Sequence, residues 1–409
     1  MDGQVSHDPR EFVRGLQQIL ISDTKKVGFL FGAGTSCAAK KGVVASKVPA
    51  VKEMTELIVD SISEPKYKDA LQCIKQEFEY KKSDFNIEYI LSSITQKEEV
   101  VAKERLCGLN ESELHELREI IEKEIINLVS VHKKRELFIN NAVHADFAQW
   151  ILQASRKQPI EIFTTNYDYL FELGLEFHSV SYFDGFVGSF EPFFHASALE
   201  DMEFMPEHTK LWKLHGSLGW QLNNEHKKII RKQPDDGKIM IYPSLLKYDN
   251  SKKQPYVSFM DRLAKFVKQD DSILFVSGYS FRDQHINVVI DNALKRTSTS
   301  HVIGFYYGEL ENDSDVVKLA KRQPKLSIYS KKHAVIGGKY GEWRLKNQPN
   351  DEDPIIIGLY FDEDAAIPMD DNGIEHDWTG QGDFLLQDFT KFVEFLSSLN
   401  YENNKNQVG

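Results

Sequence analysis

The chain reads as a doubly wound parallel α/β sheet with a largely helical insertion. Three observations predict this. β-Branched and aromatic runs recur at 27–31, 160–165, 210–214, 239–243, 272–277 and 301–307, with a further candidate at 325–329. Helical periodicity separates them, and alternation of strand and helix at that spacing builds a parallel sheet. Four of the runs empty into short polar turns, which is how such a sheet delivers groups to its carboxyl edge.

In order, residues 10–22 place Phe12, Leu16, Ile19 and Leu20 on one helical face, and Val27 to Phe31 follows as a buried strand. Pro49 suits the first turn of a helix, and Val51, Met54, Leu57, Ile58 and Ile62 continue at a 3.6 period. Residues 68–107 keep a helical character. Asn110 and Glu113 have capping-box spacing ahead of the stripe Leu114, Leu117, Ile121, Ile125 and Leu128. A further helix is expected over 136–155. A parallel crossover needs far fewer residues than this, so 45–145 is read as a helical insertion.

The core then comprises 1–44 and 146–330. A helix after Asn166 carries Tyr169, Leu170, Leu173 and Leu175, and another after Phe281 carries Ile286, Val289, Ile290, Ala293 and Leu294. The remaining 331–409 form a C-terminal extension that completes the core or serves an interface. Its parts are a strand-like run at 354–361 and an amphipathic helix over 383–400, through Leu386, Phe389, Phe392, Val393, Leu396 and Leu399. Disorder is expected only in the last nine residues or so.

Composition narrows the partners. The chain has 409 residues, 41% of them hydrophobic, and a net charge of −12, which gives no general support for binding nucleic acid. Lys227, Lys228, Arg231 and Lys232 cluster, and are read as solvated. Three cysteines (Cys37, Cys73, Cys107) without a CxxC pair argue against a disulfide framework and exclude a four-cysteine zinc site. The N-terminus shows no signal-peptide pattern, and no run approaches the ~18 apolar residues of a membrane span. The expected compartment is the cytoplasm. The acidic tail around Asp351–Asp353, Asp362–Asp364, Asp370 and Asp371 fits no calcium loop and is read as solvated turns.

The four strand-end motifs carry the chemistry. In GAGTS, Gly32 and Gly34 let backbone approach a pyrophosphate, or simply make a tight turn. No Gly-Lys-Ser/Thr follows, so it is not a P-loop, and Cys37 stands where a third glycine would complete GxGxxG. In TTNYD, Asn166 can hold a ribose or an attacking water, and Asp168 either lines that pocket or caps the next helix. In KLHGS, His215 closes an apolar strand and brings an imidazole to the ligand edge, with Gly216 and Ser217 close enough to approach a ligand. In GYSFRDQHIN, Ser280 and Asp283 have capping-box spacing, and Gly278 leaves room for a ribose or adenine. Arg282 and His285 are surface residues on the plainer reading.

Taken together and in order, GAGTS, TTNYD, KLHGS and GYSFRDQHIN resemble the motifs of the sirtuin-like superfamily of NAD-consuming proteins, over roughly residues 27–295. The resemblance implies a Rossmann-like NAD-binding sheet. It implies that Gly32, Ala33, Gly34 and Ser36 cradle phosphates and that Thr165, Asn166 and Asp168 line the nicotinamide-ribose pocket. His215 would be the catalytic base beside Gly216 and Ser217, and Gly278 and Ser280 would contact the adenosine half. Two features depart from the deacylases of that superfamily. Their four-cysteine zinc ribbon cannot be built here, and their Gln-Asn-Ile-Asp turn is Thr165-Asn166-Tyr167-Asp168.

Both departures are similar to a bacterial branch found in anti-phage defence, whose members hydrolyse NAD. Length and helical insertion are similar to the sirtuin-like subunit paired there with a HerA-type hexameric ATPase. The resemblance thus implies an NAD glycohydrolase (NADase) with NAD as substrate, no metal, a homo-oligomer and a HerA-type partner. Membrane association and sequence-specific nucleic-acid binding are not expected. The alternatives are a subunit that binds NAD or ADP-ribose without turnover and, further off, a protein deacylase.

Overall fold

The computed structural model describes residues 5–40, 48–81, 85–101, 104–136, 141–154, 156–223, 225–226, 228–233, 254–297, 299–350, 356–363 and 378–407. Its centre is a ten-stranded sheet. Seven strands run parallel in the order β12 (Leu326–Tyr329), β11 (His301–Phe305), β10 (Ser272–Ser277), β2 (Lys26–Phe31), β3 (Glu161–Thr164), β7 (Thr209–Lys213), β4 (Tyr182–Phe183). These strands are almost wholly buried, because helices cover both faces and leave no polar face to alternate. From β2 the chain builds outward to β3 and β7 on one side, and later to β10, β11 and β12 on the other. The order therefore reverses between β2 and β10, the place where doubly wound sheets open a crevice.

On one face pack α1 (Pro9–Ile21), α7 (Val143–Gln153), α8 (Leu170–Phe177) and α13 (Phe389–Gln407), through Leu16, Phe147, Trp150, Phe171 and Phe392. Phe392 sits against Phe29, Phe275 and Phe305 of three adjacent strands, so the C-terminal helix is part of the sheet's cover. On the other face lie α10 (Tyr256–Lys268), α11 (Gln284–Leu294) and α12 (Asp315–Arg322), through Phe259, Phe266, Ile290 and Val317.

Between β2 and β3 come the single turn α2 (Ala33–Ser36) and the helices α3 (Val51–Ser61), α4 (Pro65–Lys81), α5 (Ile87–Val100) and α6 (Glu111–Val129). The last four share an apolar cluster of their own that includes Met54, Ile74, Ile94, Leu117 and Ile121. The Asn110–Glu113 capping box is present in both directions, at 2.9 and 3.1 Å. Leu170 and Leu218 join this cluster, and Tyr167 and Tyr169 pack against it, so the helices rest directly on two of the strand-end loops.

Several expectations are corrected. The sheet is mixed at one edge, where β13 (His333–Ile336) and β14 (Lys339–Trp343) add an antiparallel hairpin and β1 (Ser6–His7) joins β14. Gly337 and Gly338 turn that hairpin at φ +57° and +78°, the left-handed pair that a two-residue hairpin loop requires. The run at 354–361 is not one strand: Ile357–Leu359 forms a 3-10 turn and Phe361–Asp362 a two-residue strand. The backbone is helical through Gln407, against the expected disorder of the last nine residues. Helix α11 starts at Gln284 with Asp283 as its cap, so Ser280 does not cap it. The strand expected at 239–243 lies outside the described residues.

Candidate functional site

Register decides where the motifs meet. Phe31 pairs with Ser277 on one side and Thr164 on the other, and Thr164 pairs with Lys213. The last residues of β10, β2, β3 and β7 thus form one row. All four loops leave from it side by side.

Asn166 is the junction between the first two loops. Its Nδ2 donates towards the Gly32 carbonyl at 3.1 Å, Thr35 Oγ1 at 3.1 Å and Ser36 Oγ at 2.8 Å. A carbonyl only accepts, which fixes the amide nitrogen on that side. Ser36 Oγ donates a hydrogen bond to Asp168 Oδ2 at 2.6 Å, and Asp168 Oδ1 accepts from Leu170 N at 3.0 Å. Of the two readings the sequence left open, the helix-start one has this contact: Asp168 accepts from the first amide of α8, whose N-cap is Tyr169, while its other oxygen anchors Ser36.

His215 and the fourth loop form the second junction. His215 Nε2 lies 3.2 Å from Asp283 Oδ2. The other oxygen of Asp283 accepts from His285 N at 3.0 Å and caps α11. A carboxylate on one ring nitrogen orients an imidazole and stabilises its protonated form. Asp283 thus joins His215 as a candidate site residue. Its sequence signal, a cap three residues after a serine, pointed only to helix initiation. Asn166 and His215 are each 7% exposed. Ser280 and Arg282 are exposed, while Gly216 (φ +95°) gives the turn after His215 its left-handed residue.

The glycines have a packing role that motif reading did not separate from phosphate binding. Gly32 N donates to Ser277 O at 3.0 Å, Gly34 N to Gly278 O at 2.9 Å and Thr35 N to Gly32 O at 3.0 Å. A Cβ on Gly34 would lie 2.8 Å from Gly278 Cα, and one on Gly32 2.4 Å from Gly278 O. The first and fourth loops are thus locked backbone to backbone at the reversal point of the sheet. Those three amides are engaged inside the protein, and Ser36 is turned to Asp168. What the loop leaves open is the surface of Ala33 and Gly34, both exposed. Beside it, Ser277 Oγ is buried without a hydrogen-bond partner, a polar atom at the strand end that suits a ribose or water contact.

A cavity of about 880 Å³ opens next to the third loop, lined by Tyr169, Glu172, Lys213, Ser217, Trp220 and Arg231 among others. Lys213 is buried there. Its Nζ reaches Glu172 Oε1 at 2.7 Å and the carbonyl of Asp168, and lies 4.7 Å from the centre of the Tyr169 ring. Burial pushes the Glu172 carboxyl up, with Lys213 opposing it. Arg231, read from sequence as solvated, instead pairs with Asp184, whose carboxyl is likewise pushed up by burial. Behind Asp168, the His144 imidazole is wholly buried against Phe171 and Phe389, and burial lowers its pKa to about 4.

Among the described residues one group of three could hold a metal ion. Cys73, Glu77 and Cys107 come within 4.8 Å of one another, but the two cysteines are disulfide-bonded. This pair corrects the expectation drawn from cysteine count, since residues 34 apart carry no spacing signal. Most of the acidic tail lies outside the described residues. Among the described residues, no helix is long and apolar enough to cross a membrane.

The sheet, its reversal point and the polar strand ends define a Rossmann-like α/β protein. Residues 160–327 match the SIR2-like domain family, a span from the foot of β3 into β12 that contains Asn166, His215 and Gly278. The match covers under half of the chain and leaves GAGTS and the helices after it outside. It supports a sirtuin-like superfamily member and fits an NAD-related function, since SIR2-like domains use NAD. No curated protein matches the chain.

Proposed function

We propose that the protein is an NAD glycohydrolase that releases nicotinamide and ADP-ribose. The observation that carries this reading is the pair of junctions: Asn166 tied to the glycine loop through Ser36, and His215 tied to Asp283. They hold a carboxamide and an imidazole on loops that leave one row of the sheet. NAD supplies a glycosidic bond with nicotinamide as the leaving group. Asn166, its nitrogen committed to Gly32 and Ser36, orients the ribose or water with its remaining acceptor. His215 takes a proton at a ring nitrogen, and Asp283 stabilises the cation so formed. Ala33 and Gly34 offer backbone surface to the pyrophosphate, with Thr165, Gly216, Ser217, Gly278 and Ser280 on the same edge.

We propose further that the chain is the effector of a bacterial anti-phage defence system, working in the cytoplasm as a homo-oligomer gated by a HerA-type ATPase. Depleting NAD is lethal, so such an enzyme needs a closed resting state. The low exposure of Asn166 and His215 supports one. The helical cluster that touches both loops supports a route by which assembly opens it.

The test is nicotinamide release from NAD by purified protein, alone and with the candidate ATPase. His215→Ala and Asn166→Ala are each expected to lose at least ~10²-fold in rate while the fold is kept. Full turnover by either variant would overturn the mechanism. Saturable NAD binding without nicotinamide release in every condition would favour a binding subunit.

A further inference from the structure

We infer that Cys73 and Cys107 are a redox-modification site, a reversible dithiol–disulfide pair that staples α4 to the turn ahead of α6. The pair is disulfide-bonded, with Cα atoms 5.6 Å apart, inside the span such a bond requires. Its setting is built to present the second sulfur. Leu106 and Leu109 exchange backbone hydrogen bonds at 2.9 and 3.1 Å around a tight turn. Within it Cys107 adopts φ +49° and Gly108 φ +79°. This left-handed turn sets Cys107 opposite Cys73 on α4.

Both cysteines are partly exposed, within reach of small thiols and disulfides. Glu77, one turn beyond Cys73, lies 3.4 Å from Cys107 Sγ and is held by Lys97 at 2.6 Å. Two sulfurs and one carboxylate are also three possible metal ligands. Among the described residues this group offers no fourth, and closed structural zinc sites take four. The disulfide is the occupant favoured.

The oxidant is a low-molecular-weight disulfide such as oxidised glutathione. One cysteine thiolate attacks it and one glutathione thiol leaves. The second cysteine then displaces the other glutathione, forming the Cys73–Cys107 bond, so that two thiols are oxidised and one disulfide is reduced. The staple packs on the helical cluster that also contains Leu170 and Leu218, beside the Asn166 and His215 loops. The inference stands whatever reaction the candidate site performs.

The experiment uses the full chain, equilibrated in reduced and oxidised glutathione, alkylated and peptide-mapped, with melting and bound zinc measured on the same samples. Expected are a 73–107 link that forms and reverses, Cys37 alkylated in both states, and an oxidised form melting about 5 °C higher. Cys73→Ser and Cys107→Ser should both abolish that shift. Because the wild type alone supplies map and melting curves, a poorly folded variant leaves the test intact. Thiols that stay free under oxidising conditions, or links formed only between chains, would overturn the inference. So would one zinc per reduced chain, released by alkylation, which would make the group a metal site.

Discussion

His215 Nε2 and Asp283 Oδ2 are 3.2 Å apart, although β7 and β10, which deliver them, have β2 and β3 between them in the sheet. Strands lie about 4.8 Å apart, so three spacings separate the two roots by about 14 Å. The third and fourth loops must lean towards each other across the ends of the middle strands. Those ends carry Gly32 and Asn166.

That contact makes a sharp prediction. In Asp283→Asn the amide still caps α11, because Asn and Asp cap equally well, but the negative charge beside His215 is gone. The kcat for nicotinamide release should fall about 10-fold while the melting temperature stays unchanged. Asp283→Ala should add a stability loss of about 1 kcal/mol from the missing cap. An unchanged kcat in Asp283→Asn would remove Asp283 from the chemistry.

The glycine lock is tested by three alanines. A Cβ at Gly278 would stand 2.5 Å from Thr35 N, on a residue at φ +66°. Gly278→Ala should cost about 2 kcal/mol or more and impair NAD binding, with Gly34→Ala close behind. Gly15, inside α1 with nothing within 4 Å of its Cβ position, should instead gain about 0.5–1 kcal/mol as alanine. Urea melts of the three variants separate the two classes.

His144 sets an acid limit on stability. Its folded pKa of about 4 lies below the ordinary value of 6.5, so the native protein holds the ring neutral where the unfolded chain protonates it. The unfolded state binds more protons between those values. Stability is therefore complete above pH 6.5 and falls as pH drops towards 4, by up to about 3 kcal/mol. His144→Leu should flatten the slope of stability against pH in that window.

The second apolar layer contains a buried ion pair. Arg262 clasps Glu161 through two bonds of 2.9 and 2.8 Å, and Trp212 Nε1 donates to the same carboxylate at 2.7 Å. Arg262→Met leaves Glu161 buried and underpaired, and should cost about 3–5 kcal/mol. Adding Glu161→Gln should recover part of that loss. Thermal unfolding of the single and double variants measures the coupling.

Much of the core was legible. Buried parallel strands such as 272–277 carry continuous apolar stretches (Ile273–Val276), and the Asn110 capping box is a local device in which residue types meet over one turn. The edge was not legible, because β13 and β14 are short and their signal lies in the Gly337–Gly338 turn between them. The small strands β8 (Trp220–Asn223) and β9 (Lys228–Arg231) were missed for a related reason: four residues carry too little periodicity. Cys73–Cys107 and Arg231–Asp184 join residues distant along the chain, and no spacing rule reports them.

From the linear order of residues alone came the fold class, the helical block after the first strand, and four polar turns that each end a strand. Those properties rest on local periodicity and residue type. Folding alone decided that the four turns share one row, that Asn166 is held by Ser36 and the Gly32 carbonyl, and that His215 finds Asp283. Strand order and register set those meetings, and both follow from how whole layers bury their apolar faces.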